Sequence, residues 1–197
     1  MVFSSILFLF YFLAAVLAVY FIVPRRFKNV VLLVFSLLFY GWGEPKYLAL
    51  MIFSIVMDYS LGLWMHHFLR KGRERSAKRV LILSVVLNLA LLGVFKYTDF
   101  IIGHLNGLLG LAIPGQNLPL PIGISFYTFQ AMSYLIDLYR GDVPVQKSLI
   151  NFGTYVSLFP QLIAGPIVRM STVSAELDNR RESAELFSSG VRRFVAG

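Results

Sequence analysis

From Val2 to Val23 the chain carries no charged side chain, and this run limits what the whole can fold into. As a helix its 22 residues reach about 33 Å, the hydrocarbon thickness of a bilayer. No positive segment precedes it, and Pro24-Arg25-Arg26 stands where a cleavage site of small residues would be, so it is expected to stay as a transmembrane span rather than be removed as a signal. Four further apolar runs follow: Asn29 to Gly43, closed by Gly-Glu-Pro; Tyr47 to Met65; Val80 to Phe95; and Ile122 to Leu138. The chain is 57% hydrophobic and 14% charged, with mean hydropathy +0.72. An ordinary soluble domain is about 25% charged, so these values exclude a water-soluble enzyme and a disordered chain. The fold class expected is an all-α polytopic membrane protein with about five transmembrane helices plus re-entrant or broken helices.

Two stretches are less regular. Phe100 to Ile113 is apolar but interrupted by three glycines and leads into PGQNLPLP, which reads as a short or partial segment followed by a loop. Leu149 to Val168 contains Pro160, Gly165 and Pro166, so a straight crossing is unfavourable and a re-entrant or broken helix is expected. Proline leaves carbonyls near Val156 and Leu162 in need of partners, and Gln161 is placed to supply one.

Short cytoplasmic loops collect Lys and Arg. Arg25, Arg26 and Lys28 follow the first span, and HHFLRKGRERSAKR, His66 to Arg79, follows the third, which puts both inside the cell and the N-terminus outside. Inward passage of Ile122 to Leu138 makes Arg140 and Lys147 cytoplasmic, as are the five arginines between Arg169 and Arg193, so Leu149 to Val168 has to enter and leave by one face. The net charge of +8 is thus topological: no nucleic-acid partner is expected, whereas anionic lipid near Arg70 to Arg79 fits. Ser183 to Gly197 begins a fresh helical pattern and stops without a cap, as a truncated chain would.

With no Cys there is no disulfide, no thiolate nucleophile and no thiolate-bound metal, and His66, His67 and His104 form no metal-ligand pattern. Nothing matches a catalytic triad or a phosphate-binding loop. Polar side chains inside spans are costly and invite functional readings. They are Asp58, Asn88, Gln130, Asp137 and Gln161, with the hydroxyls of Ser125, Tyr127 and Thr128 beside them. Asp137 lies three residues before Arg140, which favours a local ion pair. Asp58 reads as a helix-packing residue, Asn88 as an interhelical hydrogen-bond partner, and the histidines as interfacial or without a chemical partner. Ser125, Tyr127, Gln130 and Gln161 are the candidates for lining a substrate channel. The alternative for their two stretches is a kinked structural helix.

PIGISFYTFQAMSYLIDLYRG, Pro121 to Gly141, and FPQLIAGPIVR, Phe159 to Arg169, resemble the membrane-bound O-acyltransferases, on the branch that acts in alginate O-acetylation and teichoic-acid D-alanylation. MVFSS at the start, SLLFYGWGEPKYL at Ser36 to Leu48 and VFKYTDF at Val94 to Phe100 agree. The resemblance implies that residues 1–197 are the N-terminal portion of one such domain in a bacterial inner (plasma) membrane. It implies transfer of an acyl group, usually acetyl, from a cytoplasmic donor such as acetyl-CoA or an acyl carrier thioester to an exported polysaccharide or cell-envelope polymer. Accessory envelope acetylation proteins and membrane lipid are the implied partners, and no bound cofactor or metal is implied. The family's signature histidine lies in the second half of its members, and His66, His67 and His104 fall outside the matching motifs, so no catalytic residue carries over. Two other classes stay open: a transporter or channel subunit whose broken helices pass substrate, and a non-catalytic membrane scaffold.

Overall fold

The computed structural model describes residues 5–110, 112, 114–116, 119–165, 168–180 and 182–196. Met1 to Ser4 of the first run, Leu118 of the proline-rich loop and Pro166 of the broken segment lie outside them. Among the described residues the chain is all helical, without strands. Helix α1 is Leu7–Ile22, π-helical over Leu7–Leu13. After Pro24 a single 3-10 turn, Arg25–Phe27, leads into α2, Lys28–Gly43. Pro45–Tyr47 forms another such turn, its proline in the first position where the missing N–H is not needed, and starts α3, Leu48–Arg70. There follow α4, Glu74–Leu109; α5, Ile124–Arg140; α6, Leu149–Ser157; α7, Phe159–Ala164; α8, Met170–Asn179; and α9, Ala184–Ala196. By length and composition α3, extended back to Pro45, and α4 are each sufficient to cross a membrane.

Two boundaries differ from the sequence reading. The basic stretch His66 to Arg79, expected as a loop, is helical except for Lys71 to Arg73, because Lys, Arg, Glu and Ala are good helix formers. Charge there marks where helices leave apolar surroundings, not where they end. Of the segment Phe100 to Ile113, expected to be separate, Phe100 to Leu109 belong to α4, which continues through Lys96, Gly103 and Gly107, while Leu111 and Ile113 lie outside the described residues. A glycine in a helix costs only about 1 kcal/mol, and no proline lies between Glu74 and Ile113, so the helix runs on to Gly110, whose left-handed conformation (φ +62°) closes it.

Leu149 to Val168 is broken as expected, at Leu158 (φ −53°, ψ 113°). Pro160 lies in the first turn of α7, so the break falls ahead of the proline and not on it.

Helices α3, α4 and α5 pack on one another, α6 fits among α2, α3 and α5, α1 runs along α2, and α7 abuts α2. The main core holds Met51, Met65, Ile124, Tyr127, Tyr134 and Phe152. A second cluster joins Phe8 and Phe12 of α1, Phe39 of α2 and Phe159 of α7, with ring centroids 5.3–6.0 Å apart. The core is mostly apolar, but it takes in many polar side chains while large apolar ones stand outside. Ser36, Ser54, Asp58, Asn88, Gln130, Thr154 and Ser157 are buried, while Phe10, Ile22, Trp42 and Leu108 stand at least 70% exposed. Where the solvent is hydrocarbon, burying apolar area gives no drive, and close packing with hydrogen bonds between helices holds the fold instead. Asp58 and Asn88 illustrate it: the Asn88 amide donates to Asp58 Oδ1 at 2.6 Å, joining α4 to α3 as expected of both residues.

One polar clasp joins parts of the chain 122 to 162 residues apart. The Asn29 amide donates to Asn151 Oδ1 and to the Leu177 carbonyl, each at 2.8 Å, and Thr154 Oγ1 donates to the Asn29 carbonyl at 3.0 Å. Arg180 donates to Tyr20 Oη at 2.8 Å and Asn29 Oδ1 at 2.7 Å. Glu182 accepts from Lys28 and, at 2.5 Å, from the Tyr20 hydroxyl. The Lys28 ammonium, then the Tyr20 hydroxyl, hold the Glu182 carboxyl below the ordinary glutamate range.

Asn151, before the break, and Leu177, after it, therefore meet the same end of α2, whereas Phe159 at the break reaches Ser36. Ser36 is about 10 Å farther along α2 than Asn29. Segments before and after the break thus both bond at the Asn29 end of α2.

Candidate functional site

The break at Leu158 organises the polar interior. In an unbroken helix the Phe159 N–H would bond the Tyr155 carbonyl. Here the two separate: Phe159 N–H donates to Ser36 Oγ of α2 at 3.3 Å, and the Tyr155 carbonyl accepts from Gln130 Nε2 of α5 at 2.5 Å. One helical hydrogen bond is thus exchanged for two bonds to neighbouring helices, which fixes where the chain turns. The sequence reading gave this service to Gln161 and the freed carbonyls to Val156 and Leu162. It is Gln130, from another helix, that serves the carbonyl of Tyr155. Gln161 is half-buried on α7, where its own carbonyl accepts from Gly165 N–H at 3.0 Å. The Tyr155 hydroxyl donates to the Val168 carbonyl at 2.9 Å and closes the return path against α6.

The tip is seated by a glycine. Gly123, ahead of α5, is left-handed (φ +75°), and a Cβ there would stand 3.3 Å from the side chain and the carbonyl of Leu162. Only glycine meets both the conformation and the close approach.

At 100° per residue Tyr127, Gln130 and Tyr134 share one flank of α5, and all three are buried. Ser125 lies on the opposite flank, half-buried, and Gln161 is carried by α7. Tyr127 and Gln130 therefore come together, whereas Ser125 is turned from them. Among the described residues the Tyr127 and Tyr40 hydroxyls, Thr128 Oγ1, Gln130 Oε1 and Asp58 Oδ2 are buried without a hydrogen-bond partner. A buried polar group left so costs about 1–3 kcal/mol. Concentrated on α2, α3 and α5, these groups offer hydroxyl donors and carbonyl-type acceptors to an oxygen-rich guest or to water. Among the described residues none of these groups is a nucleophile paired with a base.

Asp137 is buried and Arg140 exposed, and they form no ion pair, contrary to expectation. Arg140 leaves the helix end outward while Asp137 faces the core. His104 bonds the Phe100 carbonyl of its own helix at 3.0 Å and is exposed. Among the described residues no three His, Asp or Glu side chains come together.

The sequence reading did not single out Tyr40, Ser36 or Tyr155. Tyr155 had a signal, being four residues ahead of the first residue after the break; Tyr40 and Ser36 look like ordinary members of an apolar helix.

No family model matches the chain, and no solved structure does. Curated relatives do, along its entire length. It is 41% identical over 209 residues to the "Probable alginate O-acetylase AlgI" of Pseudomonas syringae pv. tomato, covering 100% of this chain and 38% of that protein. The protein of the same name in Pseudomonas aeruginosa is 41% identical over 205 residues, with the same two shares. A "Peptidoglycan O-acetyltransferase" of Helicobacter pylori is 32% identical over 210 residues, covering 91% of this chain and 39% of that protein. The chain thus spans less than two fifths of the length of these relatives and corresponds to their N-terminal part.

Proposed function

We infer that the chain is the N-terminal part of a membrane-bound O-acyltransferase, a protein that moves an acetyl group across a bacterial inner membrane onto an exported polymer. The observation that carries this reading is the match over 100% of the chain to relatives named for O-acetylation. Acetyl-CoA or an acyl carrier thioester is the cytoplasmic donor, and an exopolysaccharide or other envelope polymer is the acceptor. Accessory envelope proteins hand the group on.

Residues 1–197 act as one portion of a single domain and build a wall and floor of the reaction site. The N-terminus is outside, α1 to α5 cross, and the α6–α7 hairpin dips in from the cytoplasmic face. This topology is supported by the apolar exterior, by the basic residues at Arg25 to Lys28 and Arg70 to Arg79, and by the return of the hairpin to the Lys28 end of α2. Gln161, half-buried on α7, is the residue here nearest to a role on the path of donor or acceptor, Tyr127 and Gln130 back the broken segment from within the core, and Ser125 faces away from them. The chemistry itself falls to a histidine elsewhere in the domain acting as general acid or base.

In the full-length protein Gln161→Leu is expected to lower polymer acetylation while the folded yield in detergent is unchanged. Normal acetylation by that variant refutes the polar role. Cysteine at Ser76 is expected to resist an impermeant maleimide in intact cells; labelling there refutes the topology.

A further inference from the structure

Asp58 sits midway along α3 and is only 1% exposed, so every group that serves its carboxyl belongs to the packed helices around it. Its hydrogen bonding is meagre. The Asn88 amide donates to Oδ1, and Oδ2 has no partner. An ionised carboxylate is an acceptor with about four lone-pair sites, so one N–H leaves most of its charge unserved. The hydroxyls nearby are spent: Ser54, one turn earlier on α3, donates to the Leu50 carbonyl, and Ser84, one turn before Asn88 on α4, donates to the Leu81 carbonyl. The Tyr127 and Thr128 hydroxyls of α5 are themselves buried without partners, so neither donates to Oδ2. A counter-ion is missing too. The nearest basic residue on α3 is His66, about 12 Å along the axis, and α4 carries no charge between Arg79 and Lys96, each about 12 Å or more along the axis from Asn88. On the other helices packed against α3, the buried titratable groups are Tyr127, Tyr134 and Asp137 of α5, Tyr155 of α6, and Tyr40 and Lys28 of α2. Lys28 is bonded to Glu182, and Arg140 at the end of α5 is exposed.

We propose that Asp58 is a proton-binding site, its carboxyl held as the neutral acid with Oδ1 the carbonyl acceptor for Asn88 and the hydrogen on Oδ2. A buried carboxylate without counter-ion or sufficient donors takes up a hydrogen ion rather than keep its charge. The neutral acid asks one donor for its carbonyl oxygen and has it in Asn88, and an unpaired O–H costs far less than an unpaired charge. On folding, the carboxylate oxygen forms one O–H bond with a hydrogen ion from water, and no other bond changes. The site goes beyond acyl transfer: it follows from burial among α3, α4 and α5 and needs neither donor nor acceptor of the acyl group.

The full-length protein is prepared in detergent with isotope-labelled aspartate, and the infrared spectrum of Asp58→Asn is subtracted from that of wild type. Wild type is expected to carry one extra protonated-carboxyl stretch, equally strong at about pH 5 and about pH 6, where free aspartate is ionised. A carboxylate stretch in its place overturns the proposal. Chemical unfolding gives a second readout. Above about pH 4 the folded chain binds one hydrogen ion more at Asp58 than the unfolded chain does, so stability falls as pH rises. Between about pH 5 and about pH 6 the folding equilibrium constant of wild type is expected to drop roughly ten-fold relative to Asp58→Asn, the contributions of the other carboxyls cancelling. A ratio independent of pH overturns the proposal. Should Asp58→Asn not fold, Asp58→Leu combined with Asn88→Leu supplies the same subtraction and the same ratio. Neither readout uses acetylation, so a failure here leaves the acyl-transfer reading standing.

Discussion

Replacing Asn29 by Leu takes out the centre of the clasp. The side chain donates to Asn151 Oδ1 and the Leu177 carbonyl and accepts from Arg180, so three hydrogen bonds are lost, while Arg180 keeps the Tyr20 hydroxyl and the Glu176 carbonyl. In a fully dry site each would cost about 1–3 kcal/mol, and more where one partner is charged. Asn29 is half-buried and water can reach Arg180, which puts each loss near the lower bound and the total at about 3 kcal/mol. At 1.4 kcal/mol per factor of ten, local opening of the segment 170–183 becomes roughly a hundred-fold more frequent. Helices α3 and α4 share none of these bonds. Hydrogen exchange read by mass spectrometry is expected to show lost protection over α8 and the stretch to Ser183, with α3 and α4 unchanged. Asn29→Asp keeps the acceptor for Arg180 but not the two donated bonds, and is expected to fall between, near ten-fold. Unaltered exchange over α8 in Asn29→Leu, or an even loss across α3 and α4, refutes the clasp as a local and separable unit.

Acid is expected to loosen the same region. Glu182 has a folded-state pKa below its usual 4.5, so the bond to Lys28 stabilises above that pH and is lost as pH falls through the lower folded value; a label at Glu185 should gain mobility only in that acid window, and Glu182→Gln should abolish the transition. Gly165→Ala would set a Cβ 2.7 Å from Gln161 Cα and is expected to cost about 1–3 kcal/mol in thermal unfolding in detergent, whereas Gly93→Ala, with open space around it, should be neutral or stabilising. Asn88→Leu strands Asp58 between α3 and α4; chemical unfolding should find it less stable by about 2 kcal/mol than wild type, and less stable than the double variant with Asp58→Leu.

The apolar helices were legible because hydrocarbon length and charge-free runs leave few alternatives, and the break after α6 was legible because Pro160 and Gly165 punctuate it. The end of α4 was misjudged because glycine reads as punctuation in a sequence but costs too little to stop a helix packed on both α3 and α5. At the candidate site the sequence singled out Gln130 and Tyr127 as polar residues in an apolar run. It did not disclose which carbonyl Gln130 serves, since the partner at Tyr155 is set by how α5 and α6 cross. The clasp was hidden for the same reason. Lys28 and Arg180 read as topological charge, and only the folded chain brings them to Glu182 and Asn29.

The clasp also imposes a timetable. Lys28 and Glu182 are 154 residues apart, and a ribosome adding about 5–20 residues each second needs roughly 8 to 30 s between them. Throughout that interval α1 and α2 are already made while Lys28 and Asn29 lack the partners that Asn151 to Glu182 will bring. The first corner of the molecule to be made is thus among the last to be finished, and a pause or early release of the nascent chain before Glu182 would leave the α2 end open to other polar segments.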